Sequence, residues 1–474
     1  MQGISGEKEC VIVDENSDER TGEEMAGRDI ILRILRNELA PSFGCTEPVA
    51  VGLATSIAYN AAKGRLPSWL GGQPTQGLEQ TLPKDVGKIA VSLDPFTYRN
   101  GTDVEIPGTG KRGIPVAASL GVLCDPNKKL SLFEDSNSDD AEWIKRMLEA
   151  GKVDITVVRT RTPPIYIRAR VILKTSEGYS GEGVAIIRDA HANVTYVEGN
   201  GRILYRKRRA DRRETCDDMR AMSMLELEDI VDAVNDLPKE EYDLVRKSVE
   251  MNSNAAKVGM DCEPGLKIGH TLKSLENEKF LGQGIINHAI ALASAAVDAR
   301  MSGCVVQVMS CAGSGNQGLT ATLPIVAVAQ MRGWSEERLT KAVALSFLIT
   351  CYCTSFLGYL STLCGGAMKA GVGASAGIAY YMGGNLRQVY SAMKNMIESI
   401  AGIICDGAKT SCAMKVAVIS GAAVESAFLA MNAVSVPYQS GIKGNSLKET
   451  MKNLKKISDA MTEVDKAVLE IISS

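Results

Sequence analysis

Cys364, Cys405 and Cys412 lie in the contexts CGGAMKAG, ICDGAK and SCAMKV, and Cys45 lies far upstream in APSFGCTEPVA. Three thiolates can hold an iron–sulfur cluster and leave one iron open, while a fourth thiol outside the cluster can act as a base. Such a set would serve α,β-elimination rather than electron transfer or transport. Spacing alone leaves it ambiguous. No C-x-x-C pair occurs, which argues against a zinc ribbon, a thioredoxin site or a ferredoxin-type carrier. Free cysteine is also among the most buried residue types and packs as a small hydrophobe.

Local context divides the cysteines. Cys304, in SGCVVQVM, and Cys351 and Cys353 sit in apolar runs and read as core; Cys311 reads as core or as a neighbour of the site. Cys364, Cys405 and Cys412 each have Gly or Ser within two residues, where backbone amides can approach cluster sulfurs closely. Asp406-Gly407 is a turn signal that exposes Cys405. Cys45 directly precedes TEP, a helix start with Thr46 as N-cap and Glu47 and Pro48 in the first turn. A thiol there feels the positive end of the helix dipole, which predicts a lowered pKa and a role as nucleophile, base or ligand. Inert packing between two helices is the alternative.

The segment MSCAGSGNQGLTATLP offers backbone N–H groups with Ser314, Asn316 and Gln317 for a carboxylate, or simply forms a tight interhelical turn. It is not a P-loop, and H-E-x-x-H and G-x-S-x-G are absent. His191, His270 and His288 are too scattered for a triad or a His-based metal site, and no pyridoxal-phosphate signature stands out.

These residues need a scaffold, and 474 residues suffice for several domains with a well-buried core. Lys and Arg total 53 against 56 Asp and Glu, so no global field points to nucleic acid or anionic membrane. The 45 glycines and 5% aromatics suit close helix packing and backbone-lined sites. The N-terminus is polar and acidic without an apolar core, so the 12 cysteines are expected in a reducing, cytoplasmic setting. Ala342–Cys364 carries no charge and meets the length rule for a spanning helix. Its many Ser, Thr and Tyr residues and its lack of a basic flank favour a buried helix instead.

The pattern predicts an α+β fold: an N-terminal helix pair, an inserted α/β domain with an antiparallel sheet, and a large all-helical C-terminal catalytic domain carrying the candidate cluster cysteines. Residues 1–28 read as a disordered acidic extension. Residues 29–83 hold the helix pair, the Cys45 loop and a Gly/Pro-rich loop from Gly64. Residues 84–215 form the α/β domain and end in the basic linker RKRRADRRE; residues 216–474 are helical. Ile165, Ile167, Ala169, Val171 and Leu173 alternate with more polar neighbours as a half-buried strand, and the turns SEGYSGEG and DAHAN make a meander. IPGTGKRGIPVAASLGVL enters a helix through a Gly-rich loop, and Ser223 with Glu226 predicts a capping box.

FGCTEP, IPGTGKRGIPVAASLG, SCAGSGNQG, CGGAMKAGVGASAG and GIICDGAKTSCAMK, in this order, resemble the L-cysteine desulfidases, single-chain relatives of the alpha chain of iron–sulfur L-serine dehydratases. The resemblance runs from about Asp29 to Ile472. It implies a [4Fe–4S] cluster on Cys364, Cys405 and Cys412 with one open iron, Cys45 as proton acceptor, and the SCAGSGNQG loop in the active-site region. It further implies non-redox elimination on L-cysteine to sulfide, pyruvate and ammonia, with a small amino acid as partner and neither nucleic acid nor membrane. A homo-oligomer is compatible with it.

The rival substrate is L-serine. An SSSHT-like segment and a C-terminal cysteine tail, which mark the serine enzymes, are not found, and a thiophilic iron suits departing sulfide better than hydroxide. A non-enzymatic iron–sulfur sensor and a membrane transporter are the readings from other classes.

Overall fold

The computed structural model describes residues 18–73, 85–158, 165–176, 178–207, 218–333, 335–437 and 440–473. Helix α1 spans Asp18–Glu38, so the expected N-terminal extension is helical from Asp18 onward, while residues 1–17 lie outside the described residues. Pro41 ends this helix as expected, but the chain then becomes strand β1, Leu39–Phe43. Strand β1 pairs antiparallel with β10, Gln307–Cys311, with Leu39 opposite Cys311 and Phe43 opposite Gln307. In a two-stranded ribbon both strands are edges, so the donor that Pro41 lacks is not missed. The C-terminal region is therefore helical but not all-helical. Among the described residues, its one strand, β10, holds the N-terminal segment against it.

Helix α2 is Thr46–Ala62, and all of its residues are buried. After it come β2 (Val86–Leu93), α3 (Pro95–Gly101), the short β3 (Glu105–Ile106) and β4 (Lys111–Arg112), and α4 (Ile114–Gly121). Then follow α5 (Asp140–Glu149), β5 (Val153–Val157), β6 (Tyr166–Thr175), β7 (Gly178–Arg188), β8 (Val194–Gly199) and β9 (Arg202–Arg206). The GTGKRG segment supplies the turn and the second strand of the β3–β4 hairpin and leads into α4.

The six-stranded sheet runs β5-β2-β6-β7-β8-β9. The meander β6-β7-β8-β9 is antiparallel, but β5 joins β2 in parallel, so the sheet is mixed rather than antiparallel. The connection from β2 to β5 passes through α3, α4 and α5, and a crossover of that length is what a parallel neighbour requires. Ile165, Ile167, Ala169, Val171 and Leu173 are all buried, as their period-two alternation requires. Helix α2 rests on this face through glycines: a Cβ at Gly183 would lie 1.9 Å from the Ala58 carbonyl, and one at Gly199 would lie 2.1 Å from that of Ala61. The backbone contact leaves α2 no freedom to slide, and so holds the residue at its N-terminus.

The helical region comprises Leu227–Asn235, Lys239–Asp261, Ile268–Asn277, Ile285–Met301, Gly315–Arg332, Glu336–Leu357, Val372–Tyr381, Leu386–Ile400, Cys412–Met431, Leu447–Ala460 and Thr462–Ser473. The helix at 227 is capped by Glu226 rather than by Ser223: Asp229 accepts the Glu226 N–H at 2.8 Å, while the Ser223 hydroxyl donates to the Arg220 carbonyl. The basic run 206–214 lies largely outside the described residues. Glu336–Leu357 and Cys412–Met431 are long and apolar enough to cross a membrane, yet the apolar stretch of the first is 83% buried within the protein. The uncharged run divides at Gly358, and its remainder becomes a loop rather than helix. That loop lines the site described next.

Candidate active site

A single antiparallel bridge between Leu363 and Ile404 brings Cys364 beside Cys405. The Cys364 N–H donates to the Ile403 carbonyl at 2.9 Å and the Cys405 N–H to that of Thr362 at 2.7 Å. Past Cys405 the chain turns at Gly407, whose φ of 101° only glycine adopts readily and whose Cβ would meet the Arg99 carbonyl at 2.5 Å. Asp406 accepts from Lys409 and Lys415 and closes this loop, so that Cys412 opens the next helix. The loop Gly358–Cys364 is clamped from the other side by Lys369, whose buried ammonium donates to the carbonyls of Gly358 at 2.6 Å and Tyr359 at 3.0 Å. Lys369 sits in a π-helical turn, Gly366–Gly371, a feature common at functional sites.

The donor set of this wall fits an iron–sulfur cluster. It comprises three soft thiols, a tight backbone turn in which the Ala367 N–H donates to the Cys364 carbonyl at 3.0 Å, and the cations Lys369 and Lys415 nearby. Burial raises the Cys412 thiol to about 12 and brings Lys369 down to about 8, the latter against the pull of Cys405, Cys364 and Cys353. Among the described residues no three His, Cys, Asp or Glu side chains converge to hold a single ion. Thiolates on a cluster each bind a different iron, so they need not converge in that way.

Cys45 faces this wall from the start of α2, and it is itself the N-cap residue, displacing Thr46 from that expected role. Its thiol donates to Glu47 Oε2 at 3.1 Å. Its pKa is pushed well up, first by burial and then by the Glu47 charge, with Arg300 pulling the other way. The lowering expected from the helix dipole is thus overturned, because desolvating a thiolate costs more than one helix terminus returns. Cys45 rests as a neutral thiol.

Glu47 is held the other way. Burial raises its carboxyl, but His191, Asn100 and the Cys45 thiol together outweigh burial and keep it well below the usual carboxylate range. Asn100 Nδ2 donates to Oε1 at 2.9 Å and the Thr46 hydroxyl donates to Oε2 at 3.1 Å. His191 Nε2 stands 3.8 Å from Oε1, an ion-pair distance rather than a hydrogen bond, so the direct donors define the carboxylate's geometry. A carboxyl depressed by folding stabilises the protein above its unfolded pKa of about 4.3, and this contribution is lost as pH falls through the folded value. Glu47→Gln is therefore expected to lower stability at neutral pH by about 2 kcal/mol and to flatten its decline in acid. Thermal unfolding of both proteins over a pH series checks this.

The SCAGSGNQG loop lies at the same cavity, with Ser314, Asn316 and Gln317 in different roles. Ser314 caps the helix Gly315–Arg332 by accepting the Gln317 N–H at 3.4 Å. Asn316 Oδ1 accepts from Arg300 at 2.8 Å. Gln317 Oε1 is buried without a partner.

Cys45, Ser314, Asn316, Gln317, Cys364, Cys405 and Cys412 all line one cavity of about 100 Å³. It is further lined by Glu47, Arg99, Asn100, Arg300 and Lys369. These charged and amide groups were not singled out from sequence. For Lys369 the available signal was isolation, a single charge in a Gly- and Ala-rich helical stretch; Arg300, two residues after Asp298, carried no such signal. His191, set aside as scattered, arrives from the β7–β8 turn. Asp465, near the C-terminus, holds Arg99 at 2.5 Å and also accepts from Thr362. Cys311, Cys351 and Cys353 are core, whereas Cys304 is only half-buried.

The serine dehydratase alpha chain family matches residues 127–470. The chain belongs to that family. Family membership supports lyase chemistry, and residues 127–470 include all three candidate ligands and the Gly-rich loop but not Cys45 or Glu47. Similarity to whole proteins extends further. A UPF0597 protein of Clostridium tetani is 34% identical over 94% of this chain and 98% of its own. Those of Caldanaerobacter subterraneus and Desulfatibacillum aliphaticivorans are also 34% identical, over 94% and 93% of this chain and 98% and 97% of their own.

Proposed function

We propose that this member of the family is a non-redox lyase that eliminates sulfide from L-cysteine, with Cys364, Cys405 and Cys412 holding a [4Fe–4S] cluster. One observation carries the reading: three Gly- or Ser-flanked thiols share a small cavity with a fourth, Cys45, whose proton already points at a buried carboxylate. When bound, the cluster supplies a thiophilic Lewis acid at its open iron.

The chain's own residues then account for the proton. The Cα–H of an α-amino acid is only weakly acidic, so a positioned base is needed. Cys45 rests protonated, so it can accept that hydrogen only as its own passes to Glu47 along the 3.1 Å contact. Thiol and carboxylate form one base, with the Glu47 carboxyl ending protonated. The substrate loses Cα–H and its β-sulfur, giving aminoacrylate, which tautomerises and hydrolyses to pyruvate and ammonia. No external oxidant or reductant enters. Asn100 and Thr46 hold the carboxylate in place for that transfer, and burial keeps bulk water from competing for the proton.

The family's description favours a second reading, L-serine as substrate with hydroxide leaving. Anaerobic reconstitution with iron and sulfide, then assay on each amino acid, separates the two. The proposal expects sulfide and pyruvate in equal amounts from L-cysteine. Faster pyruvate formation from L-serine would establish the second reading, and a fully loaded protein that turns over neither would sink both in favour of a sensor.

A further inference from the structure

Arg300 is 2% exposed, yet among the described residues it makes no ion pair with a carboxylate. Its Nη1 donates to Asn316 Oδ1 and its Nη2 to the Gly44 carbonyl, both at 2.8 Å, while Nε has no acceptor. The other buried arginine of the cavity, Arg99, is paired with Asp465. A guanidinium taken out of water without a counter-anion is costly, and such groups are retained where an anion arrives. The polypeptide prepares that arrival. Gly315 leaves the room that Arg300 fills, since a Cβ there would lie 2.4 Å from Nε, and Asn316 fixes the plane of the guanidinium.

The same cavity carries unpaired acceptors. Asn100 is 6% exposed and spends its Nδ2 on Glu47, which leaves Oδ1 buried without a donor. Gln317 is 5% exposed and its Oε1 likewise has none. Two orphaned carbonyl oxygens in one cavity with the Glu47 carboxylate want a cation that donates hydrogen bonds. An unpaired cation and a set of unpaired acceptors within one small cavity match a zwitterion.

We propose that Arg300 anchors the α-carboxylate of the substrate and that Asn100 Oδ1 and Gln317 Oε1 accept from its α-ammonium. The cavity thereby selects a free α-amino acid over an amine or a simple acid. This rests on the lyase reading above and assigns its specificity. Gln317 thus belongs to the ammonium end, opposite to the carboxylate role its loop suggested, and Arg300 takes that role.

Two truncated analogues of cysteine test the assignment as inhibitors of the reconstituted enzyme and as thermal-shift ligands, the second readout being independent of turnover. 3-Mercaptopropionate lacks the ammonium and cysteamine lacks the carboxylate. Arg300→Met is expected to weaken 3-mercaptopropionate about 100-fold and to leave cysteamine within about twofold. Gln317→Met is expected to do the reverse, weakening cysteamine about 10-fold. Arg300→Lys, which keeps a buried cation, is expected to recover part of the 3-mercaptopropionate binding and guards against a variant that fails to fold. Equal loss of both analogues in Arg300→Met, or no loss of either, overturns the anchor while L-cysteine turnover by the wild type leaves the lyase reading standing. A wild type that neither binds nor turns over any α-amino acid overturns both.

Discussion

Cys45→Ser should lower L-cysteine turnover about 1,000-fold while leaving the iron and acid-labile sulfide content unchanged. The substitution is nearly isosteric, and a hydroxyl can still donate to Glu47, so the geometry at the start of α2 survives. The proton relay does not, because an alcohol gives up its proton to Glu47 far less readily than a thiol, so the anion that takes the Cα hydrogen is not formed. Iron should stay because Cys45 stands on α2, across the cavity from the bridge and loop that carry Cys364, Cys405 and Cys412. Loss of iron in this variant would make Cys45 a fourth ligand and remove the open iron on which the proposed chemistry depends.

The pH profile adds a second reading of the same pair. A lone cysteine base with a raised pKa would gain activity with pH as its thiolate fraction grew. A thiol that passes its proton to an ionised carboxylate is competent as it stands, from above the depressed Glu47 value to below the raised Cys45 value. The wild-type profile should therefore be flat across the neutral range, apart from ionisation of the substrate's own thiol. A steep neutral-range rise that disappears in Cys45→Ser would show that Glu47 does not take the proton.

Cys405→Ala is the second large effect. It should abolish the visible absorbance of the reconstituted protein, bring bound iron to background and stop turnover. Three protein ligands are the fewest that leave a single iron open, and removing one leaves two irons unprotected. The backbone bond from residue 405 to Thr362 does not involve the side chain, so the fold should persist and circular dichroism should be unchanged. Metal binding is also folding energy, so the variant should lose any rise in melting temperature that loading gives the wild type. Cys304→Ala is the matched control. Cys304 is half-buried and does not line the cavity, and its variant should keep both iron and turnover. Iron loss from Cys304→Ala with retention in Cys405→Ala would reassign the ligands.

What could be read from sequence follows the range of the forces involved. The strand around Ile167–Leu173 was legible because a half-buried strand writes its two faces into every second residue. The helix start at TEP was legible because caps act within one turn, although the cap fell on Cys45 rather than Thr46. Strand β1 was not legible. LAPSF looks like a helix stop, and its partner QVMSC lies far along the chain, so only tertiary contact makes it a strand. The parallel placement of β5 was hidden for the same reason, since pairing direction follows from the path of α3, α4 and α5 over the sheet.

The cysteines themselves were set by sequence: which ones have small flexible neighbours, which sit in apolar runs, and which one begins a helix. Thiol chemistry and local turn geometry are properties of a few adjacent residues, so they can be read from the chain. The ionisation of the site, apart from the local push of Glu47 on Cys45, belongs to tertiary structure. Cys45 became a neutral thiol, and Arg300 a buried cation awaiting an anion, because desolvation and charge pairing depend on what packs around a group from distant segments. Glu47 lies two residues from Cys45, His191 comes from a β-turn, Asn100 follows β2, and Arg300 ends a helix beyond the sheet. Only the folded chain brings these charges within a few ångströms of one another and removes the water that would otherwise screen them.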